Sequence, residues 1–169
     1  MSEVFNVGVA DLKVTNSRGV LASFGLGSCV AVAMFDPEKK VGGLAHVMLP
    51  DSRGKDSSQN PGKFADVAVA RLLEEMLERG ARCERVICKI AGGSHMFEIP
   101  GLMRKDSNAA VEMARIGYRN VEAVKRALED LGIRLVGQDT GGNHGRTIKF
   151  DTSTGEVEIS SIHHGRVLI

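Results

Sequence analysis

Residues 25–48, GLGSCVAVAMFDPEKKVGGLAHVM, contain two apolar runs separated by a short polar segment. The runs at 29–35 and 41–48 have the length and composition of buried strands. The letters DPEKK between them are typical of a tight reversal, because proline after aspartate presets the backbone of a turn. The stretch therefore predicts a hairpin whose two strands carry Cys29 and His46, both near the same end.

The rest of the chain alternates short β-rich runs with two helical patterns. Helices are predicted from Asn60 to a stop at Gly80 and over 118–131, closed by Gly132. The remaining strands are predicted at 5–10, 20–24, 85–91, 134–138, 147–150 and 157–162. A doubly wound parallel sheet would need a helix after nearly every strand. We therefore expect an α/β fold, a layered sandwich of mixed β-sheets with two main helices, in one domain over residues 1–169.

Composition limits the classes of function. The chain of 169 residues carries 22 basic and 21 acidic side chains, a net charge of +1, which gives no electrostatic footprint for nucleic acid or an anionic membrane. Neither a signal peptide nor an apolar run long enough to span a bilayer is apparent. Three cysteines without a C-x-x-C pair suit a reducing compartment. We expect a cytoplasmic protein that neither binds nucleic acid nor inserts into a membrane.

Cys29 follows a glycine-rich turn, and this setting leaves two interpretations open. Gly25 and Gly27 permit backbone angles at which successive amide groups, including that of Ser28, converge on an anion. A cysteine nucleophile also needs a nearby base or positive charge, and His46 on the second strand is the candidate base. Against this, an unpaired cysteine is more often a small buried hydrophobic residue than a nucleophile.

Other residues of chemical interest have simpler interpretations. Cys83 and Cys88 are expected to pack in or beside a strand. Adjacent residues of a strand face opposite ways, so the pair His163 and His164 is not expected to share a metal ion. The stretch GLGSCV lacks the third glycine of a dinucleotide fingerprint. His95 and His144 lie in glycine-rich turns, where the choice is between lining a pocket and being solvated loop residues, and the latter is favoured. The glycines of these turns either shape a site or only reverse the chain: Gly92, Gly93, Gly141 and Gly142.

Six motifs in order along the chain resemble those of the CheD family of chemoreceptor glutamine deamidases. They are GLGSCVAV at 25–32, GLAHVMLPDS at 43–52, PGKFAD at 61–66, KIAGGSHMF at 89–97, IGYRNVEAVK at 116–125 and DTGGNHGR at 139–146. The resemblance implies an α/β sandwich similar to the catalytic domains of bacterial toxins that deamidate glutamine.

The resemblance also implies roles for individual residues. Cys29 matches the family's nucleophile and His46 its general base. The third, hydroxyl-bearing residue falls at Ser23, where threonine is more usual, and by analogy it would hydrogen-bond the second imidazole nitrogen. Backbone amides of the glycine turn, at Gly25, Gly27 and Ser28, would shape the site and hold an oxyanion. No metal, nucleotide or redox cofactor is required.

The implied function is hydrolysis of glutamine side chains on the cytoplasmic helices of chemoreceptors, through a cysteine thioester, as part of chemotactic adaptation. An alternative is a weakly catalytic regulator that binds a CheC-type phosphatase, since family members also associate with such proteins. Retention of both Cys29 and His46 favours the enzyme. By comparison with the family pattern, the stretch 103–114 looks longer than expected, and its role is open.

Overall fold

The computed structural model describes residues 2–95 and 115–169. Within them, helix α1 spans Ala65–Glu78 and helix α2 spans Ile116–Leu131. The strands are β1 Val4–Asn6, β2 Leu12–Thr15, β3 Val20–Leu26, β4 Val30–Asp36, β5 Val41–Val47, β6 Ile87–Gly92, β7 Arg134–Thr140, β8 Arg146–Asp151, β9 Val157–Ser161 and β10 Gly165–Leu168. The stretch 103–114, whose role the sequence leaves open, lies outside the described residues.

The strands form two five-stranded mixed sheets, here called the central and the outer sheet. The central sheet has the order β2-β5-β4-β6-β7 and the outer sheet β1-β3-β8-β9-β10. Most neighbours are antiparallel, but β6 with β7 and β1 with β3 are parallel. The predicted α/β class with mixed sheets is confirmed.

Alternate side chains of β4 enter two different cores. Val32 and Met34 belong to the cluster that both helices cover on one face of the central sheet. Ala31 and Ala33 belong to a second cluster with residues of the outer sheet, such as Phe150. This two-sided burial fits the continuous apolar sequence of β4, which is buried along its whole length. The layers are therefore helices, central sheet and outer sheet, as the predicted layered sandwich requires.

The hairpin predicted from residues 29–48 is confirmed. Strands β4 and β5 pair antiparallel from Val30 with Val47 to Asp36 with Val41. At the turn, the Asp36 carboxylate accepts hydrogen bonds from the backbone amides of Glu38 and Lys39. The helix stop at Gly132 is also confirmed, with φ at 72° in the left-handed region.

Helix α1 begins at Ala65, and the prediction that it begins near Asn60 was wrong. The intervening chain makes other contacts. The Gly62 amide donates a hydrogen bond to the Ala10 carbonyl oxygen. A Cβ at Gly62 would lie 2.2 Å from the Asp11 carbonyl oxygen, so the two segments pack too closely for a larger residue. Phe64 is extended and forms a bridge with Leu49. Contacts with distant residues therefore override the capping signals in this segment.

Further differences concern strands. The strand predicted at 5–10 is the shorter β1, Val4–Asn6. The strand predicted at 85–91 begins at Ile87, because Cys83–Arg85 forms a short 3₁₀ turn. The sequence patterns also missed β2, which pairs with β5, and β10, whose residues are all exposed. Among the described helices, none has the length and apolarity needed to cross a membrane.

Candidate active site

A bulge at the end of β3 redirects the chain toward β4. Ser23 pairs with Ile148 and Leu26 with Arg146, so β3 contains one residue more than β8 between these pairs. Gly25 lies in this extra segment with φ at 66°, a left-handed conformation that glycine adopts without strain. The predicted strand at 20–24 therefore extends through the bulge to Leu26.

The bulge leads into residues 27–29, here called the cysteine turn. Each of its carbonyl oxygens accepts a hydrogen bond from the side of the molecule where α2 and the loop after β6 meet. The donors are the Ser94 amide to Gly27 at 2.8 Å, the Asn120 side-chain amide to Ser28 at 2.9 Å, and the Gly93 amide to Cys29 at 2.9 Å.

These anchors set the direction of the turn's own amide groups. In a trans peptide the carbonyl and the following N–H point in opposite directions. The amides of Ser28 and Cys29 therefore point away from the anchors, and neither donates a hydrogen bond among the described residues. Such unengaged, neighbouring N–H groups can receive a negatively charged oxygen.

Gly92 and Gly93 have a structural purpose that the sequence left open. A Cβ at Gly92 would lie 2.2 Å from the carbonyl oxygen of Cys29, and one at Gly93 would lie 2.3 Å from a methyl group of Val121. Only glycine allows the loop to approach the cysteine turn and α2 this closely. The two residues therefore shape the site.

Cys29 and His46 lie on the same face of the central sheet, at the same end. His46 pairs directly with Ala31, so the side chains of these two residues face the outer sheet. Cys29 lies two residues before Ala31, so its side chain is expected on the same face. Cys29 is half-buried and packs against the core between the sheets, as this alternation requires. Diagonal neighbours of this kind have Cβ atoms roughly 7 Å apart.

The His46 ring is buried, with 1 % of its surface exposed. Its Nδ1 lies 3.4 Å from the carbonyl oxygen of Val7, and its Nε2 has no hydrogen-bond partner among the described residues. A proton on Nδ1 donates to that carbonyl, which leaves the Nε2 lone pair available as a base. Burial lowers the pKa of His46, opposed by the Val7 hydrogen bond. The imidazole is therefore neutral near neutral pH.

Burial raises the pKa of the Cys29 thiol. In the free protein, burial therefore favours the uncharged form of both side chains, the thiol and the imidazole. Attack by this sulfur requires that its proton be transferred when substrate binds, and hydrogen bonds of catalytic groups often shorten only in that complex.

Ser23 is fully buried on β3, and its hydroxyl donates to the Val7 carbonyl at 2.7 Å. The direct hydrogen bond expected between Ser23 and the imidazole is replaced by an arrangement in which both groups bind the same carbonyl oxygen. Val7 O is therefore the group that orients the His46 ring, and Ser23 fixes Val7.

The sequence patterns missed a second polar group behind the cysteine turn. Arg146 is 3 % exposed and donates to the Ser94 hydroxyl at 2.7 Å and to the Asp139 carboxylate at 3.2 Å. The Ser94 hydroxyl in turn lies 2.6 Å from the carbonyl oxygen of His144. The motifs KIAGGSHMF and DTGGNHGR are thus joined through buried side chains.

The other cysteines lie elsewhere in the fold. Cys88 is fully buried among the residues that the helices cover, and Cys83 is half-buried with its sulfur 3.6 Å from the Leu131 carbonyl oxygen. Both fit the packing role expected of them. Among the described residues, no three His, Cys, Asp or Glu side chains are grouped to hold a metal ion.

Comparison with known proteins bears on this geometry. A family model described as CheD chemotactic sensory transduction matches residues 48–161. A probable chemoreceptor glutamine deamidase CheD of Caldanaerobacter subterraneus is 46% identical over 164 residues, covering 97% of this chain and 96% of the relative. The chain belongs to the CheD family.

Other CheD proteins match over similar lengths. The chemoreceptor glutamine deamidase CheD of Thermotoga maritima is 46% identical over 162 residues, 96% of this chain and 94% of its own. A probable chemoreceptor glutamine deamidase CheD of Desulfitobacterium hafniense is 44% identical over 169 residues and all of both chains. Whereas the CheD family model begins after His46, this last match also spans Cys29 and His46.

Proposed function

We propose that this CheD-family protein deamidates glutamine side chains on the cytoplasmic helices of chemoreceptors, with Cys29 as nucleophile and His46 as general base. The observation that carries the proposal is that the two side chains share one face and one end of neighbouring strands. The names of the relatives, chemoreceptor glutamine deamidase, supply the substrate class.

In the first half-reaction the Cys29 sulfur attacks the side-chain carbonyl carbon of the glutamine while its proton passes to His46 Nε2. The carbonyl oxygen becomes an oxyanion. The backbone N–H groups of Ser28 and Cys29, which point away from the anchors of the cysteine turn, would donate hydrogen bonds to it. His46 then donates the proton to the leaving nitrogen, the C–N bond breaks and ammonia departs. A thioester between Cys29 and the substrate remains.

In the second half-reaction His46 removes a proton from water, and the resulting hydroxide attacks the thioester carbonyl. The C–S bond breaks, and His46 returns its proton to the Cys29 sulfur. The product carboxylic acid loses its own proton to solvent and leaves as glutamate. Every step uses groups of this chain, the substrate and water. The site is therefore proposed to work without a cofactor, in the cytoplasm where the receptor helices lie.

Regulation of a CheC-type phosphatase remains the alternative function. Catalysis is favoured because His46 Nε2 is buried and has no hydrogen-bond partner within residues 2–95 and 115–169, where most buried polar side chains are satisfied. A purely regulatory surface has no use for an available lone pair next to a cysteine.

Mass spectrometry of a receptor cytoplasmic fragment, before and after incubation with the protein, tests the proposal. We expect specific glutamines to become glutamates, at a rate far above that for free glutamine, because the substrate is a folded helix. Cys29→Ala should abolish the conversion, whereas Cys83→Ala, a matched change at the other half-buried cysteine, should retain it. Conversion that survives Cys29→Ala would contradict the mechanism.

A further inference from the structure

We infer that Asn120 is a positioning residue. It holds the cysteine turn against the end of β5, the strand that carries the proposed base His46. Its side-chain amide donates one hydrogen bond to the Ser28 carbonyl at 2.9 Å and the other to the Met48 carbonyl at 3.0 Å. Ser28 directly precedes Cys29, and Met48 lies two residues after His46. One side chain of α2 therefore bridges the two segments whose spacing the proposed reaction requires.

The orientation of the Asn120 amide is fixed by its partners. Both are carbonyl oxygens, which only accept hydrogen bonds, so the nitrogen must face them. The amide oxygen then points into the protein, where it is buried without a partner among the described residues. Leaving a buried acceptor without a hydrogen bond lowers the stability of the fold, so this amide is a poor choice for stability alone.

The location of the bridge explains its effect on chemistry. Asn120 is fully buried in the second turn of α2, and the start of that helix packs tightly on the loop after β6, where a Cβ at Gly117 would lie 2.4 Å from the Ser94 carbonyl oxygen. The helix therefore gives the cysteine turn a rigid support. Anchoring the Ser28 carbonyl also directs the amide of Cys29 the opposite way, toward the proposed oxyanion.

This role rests on the proposed function, and two variants with one control test it. Asn120→Ala removes both donors, and Asn120→Asp replaces them at nearly constant volume with a carboxylate, which repels the two carbonyl oxygens when it is ionised. Val124→Ala, one turn further along α2 and also fully buried, removes packing without touching the cysteine turn. The measurements are kcat and KM on the receptor fragment, the melting temperature, and the alkylation rate of Cys29 followed by peptide mass spectrometry with iodoacetamide.

Both Asn120 variants should lower kcat by tenfold or more with little change in KM, since misplacement of reacting groups by about 1 Å can cost 10²-fold. Alkylation of Cys29 should become faster, because the released loop exposes a half-buried sulfur. Val124→Ala should change neither rate more than about twofold, even where it lowers the melting temperature equally.

Turnover of the Asn120 variants within threefold of Val124→Ala would overturn the inference, as would an unchanged rate of Cys29 alkylation. The alkylation measurement needs no receptor. If the wild-type protein itself converts no glutamine, the proposed function fails, and faster alkylation in the Asn120 variants still decides whether this side chain holds the loop.

Discussion

The two ends of strand β4 satisfy their buried polar groups to very different degrees. At the end that carries Asp36, the carboxylate is fully buried and its oxygens are surrounded by donors. These are the backbone amides of Glu38, Lys39 and Arg82 and the guanidinium of Arg85 at 2.9 Å. Burial would raise the pKa of Asp36, but these hydrogen bonds hold it at about 2.

At the other end of β4, the side chains near Cys29 keep unused hydrogen-bonding capacity. His46 Nε2 and the Asn120 amide oxygen are both buried without partners among the described residues. We call the Asp36 end of β4 the closed end, because its buried polar groups are hydrogen-bonded and stabilise the hairpin. The Cys29 end is called the open end, because some of its buried polar atoms have no partner among the described residues. The open end is the one with capacity left for a reacting substrate.

The largest expected effect that separates the two ends is on activity. His46→Ala should reduce deamidation roughly 10²–10⁴-fold, because this residue is proposed to move protons in both half-reactions.

The pH dependence of the wild type tests the same residue. The lowered pKa of His46 means that the imidazole remains unprotonated at pH values somewhat below its ordinary pKa of 6.5. In the wild type, kcat/KM should therefore begin to fall with decreasing pH only below that value. A decrease of kcat/KM that already begins at or above pH 6.5 would contradict the role of His46 as the base.

At the closed end, the expected effect is on stability. Asp36→Asn should lower the free energy of unfolding by about 2–3 kcal/mol at neutral pH, with kcat unchanged. Because the pKa in the fold is about 2 against an ordinary 3.8, the carboxylate's contribution is present above pH 4 and is lost as pH falls through 2. Urea unfolding at several pH values measures this difference.

Glu38→Gln is the matched control for Asp36→Asn. Glu38 also lies near Arg85, at 3.4 Å, but its side chain is 69% exposed. An exposed ion pair contributes little, so this variant should change stability by less than about 1 kcal/mol. A loss of kcat in Asp36→Asn would show that the two ends are not independent.

The smallest expected effect on activity is that of Ser23, whose hydroxyl binds the Val7 carbonyl oxygen that also lies against the His46 ring. Ser23→Ala removes one hydrogen bond from the carbonyl that orients His46, worth about 1 kcal/mol, or roughly fivefold in rate. Ser23→Thr keeps the hydroxyl and should retain activity. Deamidation rate and melting temperature are measured together for both variants. A lower melting temperature with an unchanged rate in Ser23→Ala would make Ser23 purely structural.

Local signals explain which parts of the fold the sequence predicted. The β4–β5 hairpin follows from two apolar runs around DPEKK, and the end of α2 follows from Gly132 in the left-handed region. The division of strands between two sheets depends on pairings between distant segments, such as β6 with β7. All residues of strand β10 are exposed, so no pattern of buried apolar residues predicts this strand.

The site was predictable to a similar extent. The glycine turn and the hairpin, both local features, made Cys29 and His46 candidates, and the resemblance to the CheD family gave them the expected roles of nucleophile and base. Val7 acts through a backbone carbonyl, which leaves no trace in residue type. Asn120 bonds to a residue 92 positions away in sequence, and only the packing of α2 against the cysteine turn brings the two together.

Partial alkylation of the wild-type protein tests the central claim, that Cys29 is the nucleophile, most directly. Samples with increasing iodoacetamide labelling are assayed on the receptor fragment, and the labelled fraction of each cysteine is determined by peptide mass spectrometry. We predict that remaining activity equals the fraction of unlabelled Cys29 and does not follow the labelling of Cys83. Full activity in protein whose Cys29 is completely alkylated would contradict the account.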